Sequence, residues 1–238
     1  MSAPVFIYLT PPEGLVPLLT PARLAAFREW LWRENTEHLS AEELADIDSD
    51  EELKALLAFV DHLLQQGSES LRKPPTRHAD TMLDLLDELS DYFTRDEAGT
   101  PEGMELATDL KPTDKQVRAS DVVIAVNCPK RTFELWRHLV WGRAPDRVVA
   151  EGIGLRRNFP SMGYWTSNEV RQVRDDLRQH LGEAPDYPPL TGKGRFMTAL
   201  RLKLTRTGRG GAPAPAIDAI ARAVDRATRE GAGLLFAR

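Results

Sequence analysis

The stretch FPSMGYWTSNEVRQVRDDLRQHL, residues 159–181, sets three aromatic residues before a Thr-Ser-Asn turn and a strongly charged run. Two readings compete for it: an aromatic platform for a ligand, or the start of a helix. Thr166 and Glu169 stand at capping-box spacing, where the hydroxyl takes an N–H of the first turn and the carboxylate reaches back to the cap N–H. Trp165 and Val170 fall on the two positions of a hydrophobic staple. Val170, Val173, Leu177 and Leu181 then recur at helical spacing while the rest of the segment is polar. A capped amphipathic helix therefore explains most of the stretch. Phe159, Pro160 and Tyr164, directly after Arg156 and Arg157, remain as the part open to a ligand.

Outward from this helix, the apolar runs suggest strands at both ends of the chain. PVFIYL (residues 4–9) and GLLFA (residues 233–237) are rich in β-branched, aromatic and leucine side chains and are bounded by proline or glycine. DRVVAEGIG (residues 146–154) reads as a third strand ending in glycine. Between them lie helix signals. Thr20-Pro21 gives a hydroxyl cap followed by proline at the first helical position, with Leu24, Phe27, Trp30 and Leu31 as the stripe and an end near Arg33. Ser40 with Glu43, Ser49 with Glu52, and Thr113 with Gln116 each fit a capping box. Residues 77–93 carry the strongest amphipathic pattern, with Met82, Leu85, Leu86, Leu89 and Phe93 on one face and Asp84, Asp87, Glu88 and Asp91 on the other. TFELWRHLVW (residues 132–141) reads as one helix with Phe133, Trp136, Leu139 and Val140 facing one way. DVVIAV (residues 121–126) fits helix or strand, and residues 216–229 form a closing helix.

The fold class expected is α+β: a small, mostly antiparallel sheet including both terminal strands, covered by several amphipathic helices. One domain over residues 1–238 is the simplest organisation, with residues 20–95 as an acidic helical layer that could be semi-independent. Residues 191–216 combine six basic side chains with no acidic one and end in GRGGAPAPA, the composition of a flexible linker. Within them Leu200, Leu202 and Leu204 alternate with Arg201 and Lys203, the period of a half-exposed strand.

The formal charge of −5 conceals a division. Residues 34–109 hold 21 acidic and 5 basic side chains, a net of −16, whereas residues 111–238 hold 13 acidic and 23 basic, a net of +10. Two solvated faces that attract each other account for this. An acidic surface for a basic protein, or a basic surface for a phosphate-rich ligand, is the sharper alternative. No apolar run is long enough to span a membrane, and the N-terminus lacks the pattern of a signal peptide, so a cytoplasmic location is expected.

Catalytic signatures are scarce. Cys128 is the single cysteine, which excludes an internal disulfide framework and CxxC metal pairs. Lys130 and Arg131 lie near it, and His138 is the candidate base, but a lone cysteine beside an apolar run reads more simply as a small core residue. The five histidines show no metal-ligand spacing. The carboxylates of residues 84–91 follow one helical face, a solvated surface rather than converging cation ligands. Gly152 and Gly154 with Arg156 and Arg157 offer backbone N–H groups and guanidinium groups to a phosphate. Trp136, Trp141, Tyr164 and Trp165 would be the aromatic walls of such a site. The basic stretch 193–209 has Phe196 as its one stacking aromatic, a poor match to single-strand nucleic-acid binders.

Three blocks together resemble the YfbM-like family, a bacterial domain family of unknown function. They are VFIYLTPPEGLVPLLTPARL, AEGIGLRRNFPSMGYWTSNEV and IARAVDRATREGAGLLFA, covering about half of the chain. The resemblance implies an α+β fold and brings no catalytic residues or cofactor with it. The leading expectation is a non-enzymatic interaction protein, of the kind that serves as an immunity-type inhibitor. Its acidic helical face, Asp84, Asp87, Glu88 and Asp91 included, would cover a basic toxin or other protein, with no cofactor and no metal. The alternative is a binder or enzyme for a phosphate-containing ligand, with its site around Arg156, Arg157, Phe159, Tyr164, Trp136 and Trp141.

Overall fold

The two terminal apolar runs meet in the middle of the molecule. In the computed structural model, which describes residues 4–45, 47, 50–72, 79–94, 104–149, 161–182 and 214–238, they form strands β1 (Phe6–Thr10) and β3 (Gly233–Ala237). A third strand, β2 (Met162–Trp165), lies inside the stretch quoted at the outset. The sheet order is β1-β3-β2 with both pairings antiparallel, so the C-terminal strand is central. Tyr8, Leu235 and Tyr164 line up across one face, and Ile7, Phe236 and Gly163 across the other.

All residues of the three strands are buried because helices cover both sheet faces. Against Phe6, Tyr8, Met162, Tyr164 and Leu235 pack α1 (Pro21–Thr36), α3 (Glu51–Gln66) and α4 (Ala79–Thr94), the acidic helical layer. Short helix α2 (Ala41–Ala45) links α1 to α3. Against Val5, Ile7, Trp165, Leu234 and Phe236 pack α5 (Asp114–Asn127), α6 (Lys130–Trp136), α7 (His138–Trp141), α9 (Ser167–Leu181) and α10 (Ala214–Glu230). Each large apolar side chain removed from water contributes about 2 kcal/mol, so the two cores on either side of one thin sheet supply most of the driving force.

The sheet edges are covered, which blocks edge-to-edge pairing with other chains. Residues 104–113 run along β1: the Leu9 N–H donates to Glu105 O (2.9 Å) and the Ala107 N–H to Ile7 O (2.7 Å). At β2 the Arg143 N–H donates to Met162 O (2.8 Å). Gly163 lets α7 approach this edge, since a Cβ there would lie 2.6 Å from the carbonyl oxygen of His138.

Four of the five capping signals hold. Ser40/Glu43, Thr113/Gln116 and Thr166/Glu169 each make both reciprocal bonds, and Thr20 accepts from the Arg23 N–H (3.3 Å). At α3 the cap is Asp50, which accepts from the N–H groups of Glu52 and Leu53, rather than Ser49. Helix α1 continues past Arg33 to Thr36. DVVIAV is helical, within α5. Residues 132–141 form two helices instead of one, because the chain tightens at Arg137.

The expected strand from Asp146 is corrected. Its first residues belong to the short helix α8 (Pro145–Val148), with Pro145 at the first helical position, where its fixed φ and missing N–H favour a helical start. Residues 150–154 lie outside the described residues. So do Arg156, Arg157, Phe159 and the basic segment 191–213. Among the described residues no helix is long and apolar enough to cross a membrane.

Candidate functional site

Capping geometry places the centre of the opening stretch. Thr166 accepts from the Glu169 N–H (3.3 Å), and Glu169 Oε2 accepts from the Thr166 N–H (2.8 Å). The same carboxylate takes two bonds from Arg143, at 2.7 and 2.8 Å, and Arg143 also donates to Tyr164 O at 2.5 Å. Burial works to raise the Glu169 pKa, but the Arg143 bonds and charge and the Thr166 bonds outweigh it and hold the carboxyl below its ordinary value. His138, half-buried nearby, is pushed down to about 4 by burial and by the Arg143 charge, against the pull of Glu169. The group is thus an internal ion pair with a neutral imidazole beside it. Its charges are spent on one another and on the β2 backbone.

Two of the expected ligand aromatics lie in the core. Trp136 is fully buried, and Tyr164 is buried with its hydroxyl donating to the carbonyls of Pro12 (2.6 Å) and Pro11 (3.1 Å). Trp165 is buried too, with its indole N–H donating to Leu135 O (3.0 Å), as a staple residue should be. None of these rings presents a face to a ligand, so Trp136 and Tyr164 are withdrawn from the aromatic site. Trp141 is different: it is 48% exposed, with the Arg118 guanidinium 5.4 Å and that of Arg137 5.9 Å from its ring centre. The structure therefore separates Trp141 from Trp136 and Tyr164 instead of gathering them. Arg156, Arg157 and Phe159 lie outside the described residues.

Cys128 sits in the core, and burial, with a contribution from Asp176, pushes its thiol up to about 11. At neutral pH it is a protonated small apolar residue, not a thiolate nucleophile. Among the described residues no group of three or more His, Cys, Asp or Glu side chains is arranged to hold a metal ion. A shallow cleft between α9 and α10 is closed by Arg174 and Arg178, both on Asp225 (2.8 and 2.9 Å).

On α4, Asp87 and Asp91 are exposed and Asp84 and Glu88 are half-buried; Asp87 accepts a bond from the Ser161 hydroxyl (2.6 Å). A second group of exposed carboxylates flanks α2 and the start of α3: Glu37, Glu42, Glu43, Asp50, Glu51 and Glu52. Two large apolar side chains of the same region, Trp32 on α1 and Leu44 on α2, are 41% and 38% exposed. The sequence signalled Trp32 only by its falling outside the stripe of Leu24, Phe27, Trp30 and Leu31.

No protein-family model matches the chain, and neither a curated protein nor a solved structure does.

Proposed function

We propose that this chain is a non-enzymatic protein-binding module of the cytoplasm that docks a basic partner protein on its acidic helical layer. The observation that carries this is the pairing of exposed carboxylates with exposed apolar anchors on one layer: Glu37, Glu42, Glu43, Glu51 and Glu52 with Trp32 and Leu44. Carboxylates steer a basic partner during encounter, and desolvated aromatic and aliphatic groups then supply most of the affinity. Asp87 and Asp91 of α4 extend the acidic character of the layer. An immunity-type inhibitor of a basic toxin is the form of this function that best fits a small acidic protein whose charge is concentrated in one helical layer. The lone buried cysteine suits a reducing compartment. The likeness to the YfbM-like family stays a proposal of kinship and contributes no site residue.

The test is affinity capture from the native host, followed by titration of the purified partner against increasing salt. A basic partner whose binding weakens steeply with salt, and which Glu51→Lys/Glu52→Lys and Trp32→Ala each release, supports the proposal. A partner held equally well at high salt, or retained by those variants, overturns it. The phosphate-ligand alternative keeps Arg156, Arg157 and Phe159 but has lost the walls assigned to Trp136 and Tyr164.

A further inference from the structure

Helix α5 turns its buried residues, Val117, Ser120 and Ile124, toward α6, α7 and α10. The opposite pole carries Lys115, Ala119, Val122 and Val126, all exposed, with Val122 at 69% and Val126 at 76%. These four positions are spaced four, three and four residues apart. That is the seam spacing of one helix packed along another, and not the polar pattern expected of a solvated helix face. Beside the seam, Arg118 stacks over Trp141, and Arg137 flanks the same ring from α7's side. The face thus has an apolar line, an exposed aromatic and a cationic flank.

We infer that this face docks a partner helix whose apolar seam residues are flanked by carboxylates. The charges decide the occupant. Five basic side chains, Lys115, Arg118, Lys130, Arg131 and Arg137, stand here against three acidic ones: Asp114 pairs with Arg118 (2.8 Å) and Arg238 (3.2 Å), Glu134 pairs with Lys130 (3.6 Å), and Asp121 is half-buried, so the face keeps a cationic excess. Arg118 and Arg137 remain exposed around Trp141, and Lys130 and Arg131 are exposed beyond the helix end. A second copy packing antiparallel on α5 would bring Lys115 and Arg118 of one chain toward Lys130 and Arg131 of the other, a like-charge arrangement. A carboxylate-flanked helix meets no such opposition. The surface is distinct from the acidic layer on the other side of the sheet, so the two sites stand or fall separately.

The full chain is titrated into a fluorescein-labelled peptide of about three heptads, with Leu at the seam positions and Glu at the flanking ones, and anisotropy is followed. Binding is expected for this peptide and at least tenfold weaker binding for the same peptide with Lys in place of Glu. Val122→Glu and Trp141→Ala should each weaken the acidic peptide tenfold or more, while Gln65→Glu on α3 leaves it unchanged. Both valines are exposed, so Val122→Glu keeps the fold, which circular dichroism verifies. No binding at high micromolar concentration, equal binding of the two peptides, or indifference to Val122→Glu overturns the proposal. So does a concentration-dependent dimer that Val122→Glu dissolves, which assigns the face to a second copy.

Discussion

Arg143 and Glu169 form a two-pronged ion pair, at 2.7 and 2.8 Å, that ties the first turn of α9 to the edge of β2. Both side chains are largely buried, at 10% and 17% exposure, and every bond they make serves the fold: the cap of α9, the Tyr164 carbonyl and each other. Removing one partner of such a pair leaves the other charged and desolvated, at a cost of about 3–5 kcal/mol. Arg143→Ala should therefore lower the urea midpoint by an amount equivalent to that range, with an unchanged slope. Arg143→Met combined with Glu169→Gln should recover much of the loss, because Gln at that position still completes the capping box.

Acid sensitivity should begin with His138. Its folded-state pKa of about 4 lies below its ordinary value of 6.5, so the unfolded chain takes up a proton first as pH falls. Its contribution to stability is complete above pH 6.5 and is lost progressively toward pH 4, by about 3 kcal/mol. Glu169 adds a second loss. Its pKa is also depressed, so its contribution holds above its ordinary value of 4.5 and disappears as pH drops through the folded-state pKa. Denaturant midpoints across pH 7 to 4 should slope downward in the wild type and flatten in His138→Gln. The Arg143 charge is one cause of the His138 shift, so Arg143→Met should also raise the His138 pKa, which its NMR titration reads directly.

How much of this was legible in sequence follows from the range of each interaction. Thr166/Glu169, Thr113/Gln116 and Ser40/Glu43 act across three residues, so their spacing alone located three helix starts. The terminal strands were legible because burial on both faces makes them continuously apolar. Strand β2 was not: MGYW is four residues long with a glycine inside, and it is a strand only through its ladder with β3, some seventy residues away. Val148 and Val149 misled in the other direction, since their β-branched character suggested a strand where Pro145 starts a helical turn. The candidate ligand site failed for a related reason. Trp136 ends α6 and Trp141 ends α7, on either side of the break at Arg137 where the sequence suggested one continuous helix, so one entered the core as the other faced water.

Gly163 offers a sharp test of the close packing at the β2 edge. Alanine there would set a methyl carbon 2.6 Å from His138 O and 3.2 Å from a Phe236 ring carbon, one a backbone atom that moves only with α7. Gly163→Ala should cost about 2 kcal/mol, in the range of overpacking in tight cores, and heating should show a lowered Tm. A Gly163→Ala protein as stable as the wild type would mean that α7 can withdraw from the sheet without loss.

The acidic layer makes the prediction that matters most for function. Trp32, at 41% exposure, and Glu51, in the first turn of α3 and 3.5 Å from Lys54, both lie at the surface of the layer. Substituting either should therefore cost about 1 kcal/mol, the scale of a partly covered side chain or of a first-turn charge at a helix N-terminus. Their effects on a basic partner should divide by mechanism. Glu51→Lys with Glu52→Lys should chiefly slow association and reduce its salt dependence, because rim charges act during encounter. Trp32→Ala should chiefly speed dissociation, by tenfold or more, because aromatic anchors act once water has been expelled. Surface plasmon resonance at several salt concentrations separates the two rates. If both variants changed only dissociation, steering would play no part and the carboxylates would be contact residues. If neither changed either rate, the partner would bind elsewhere on the molecule.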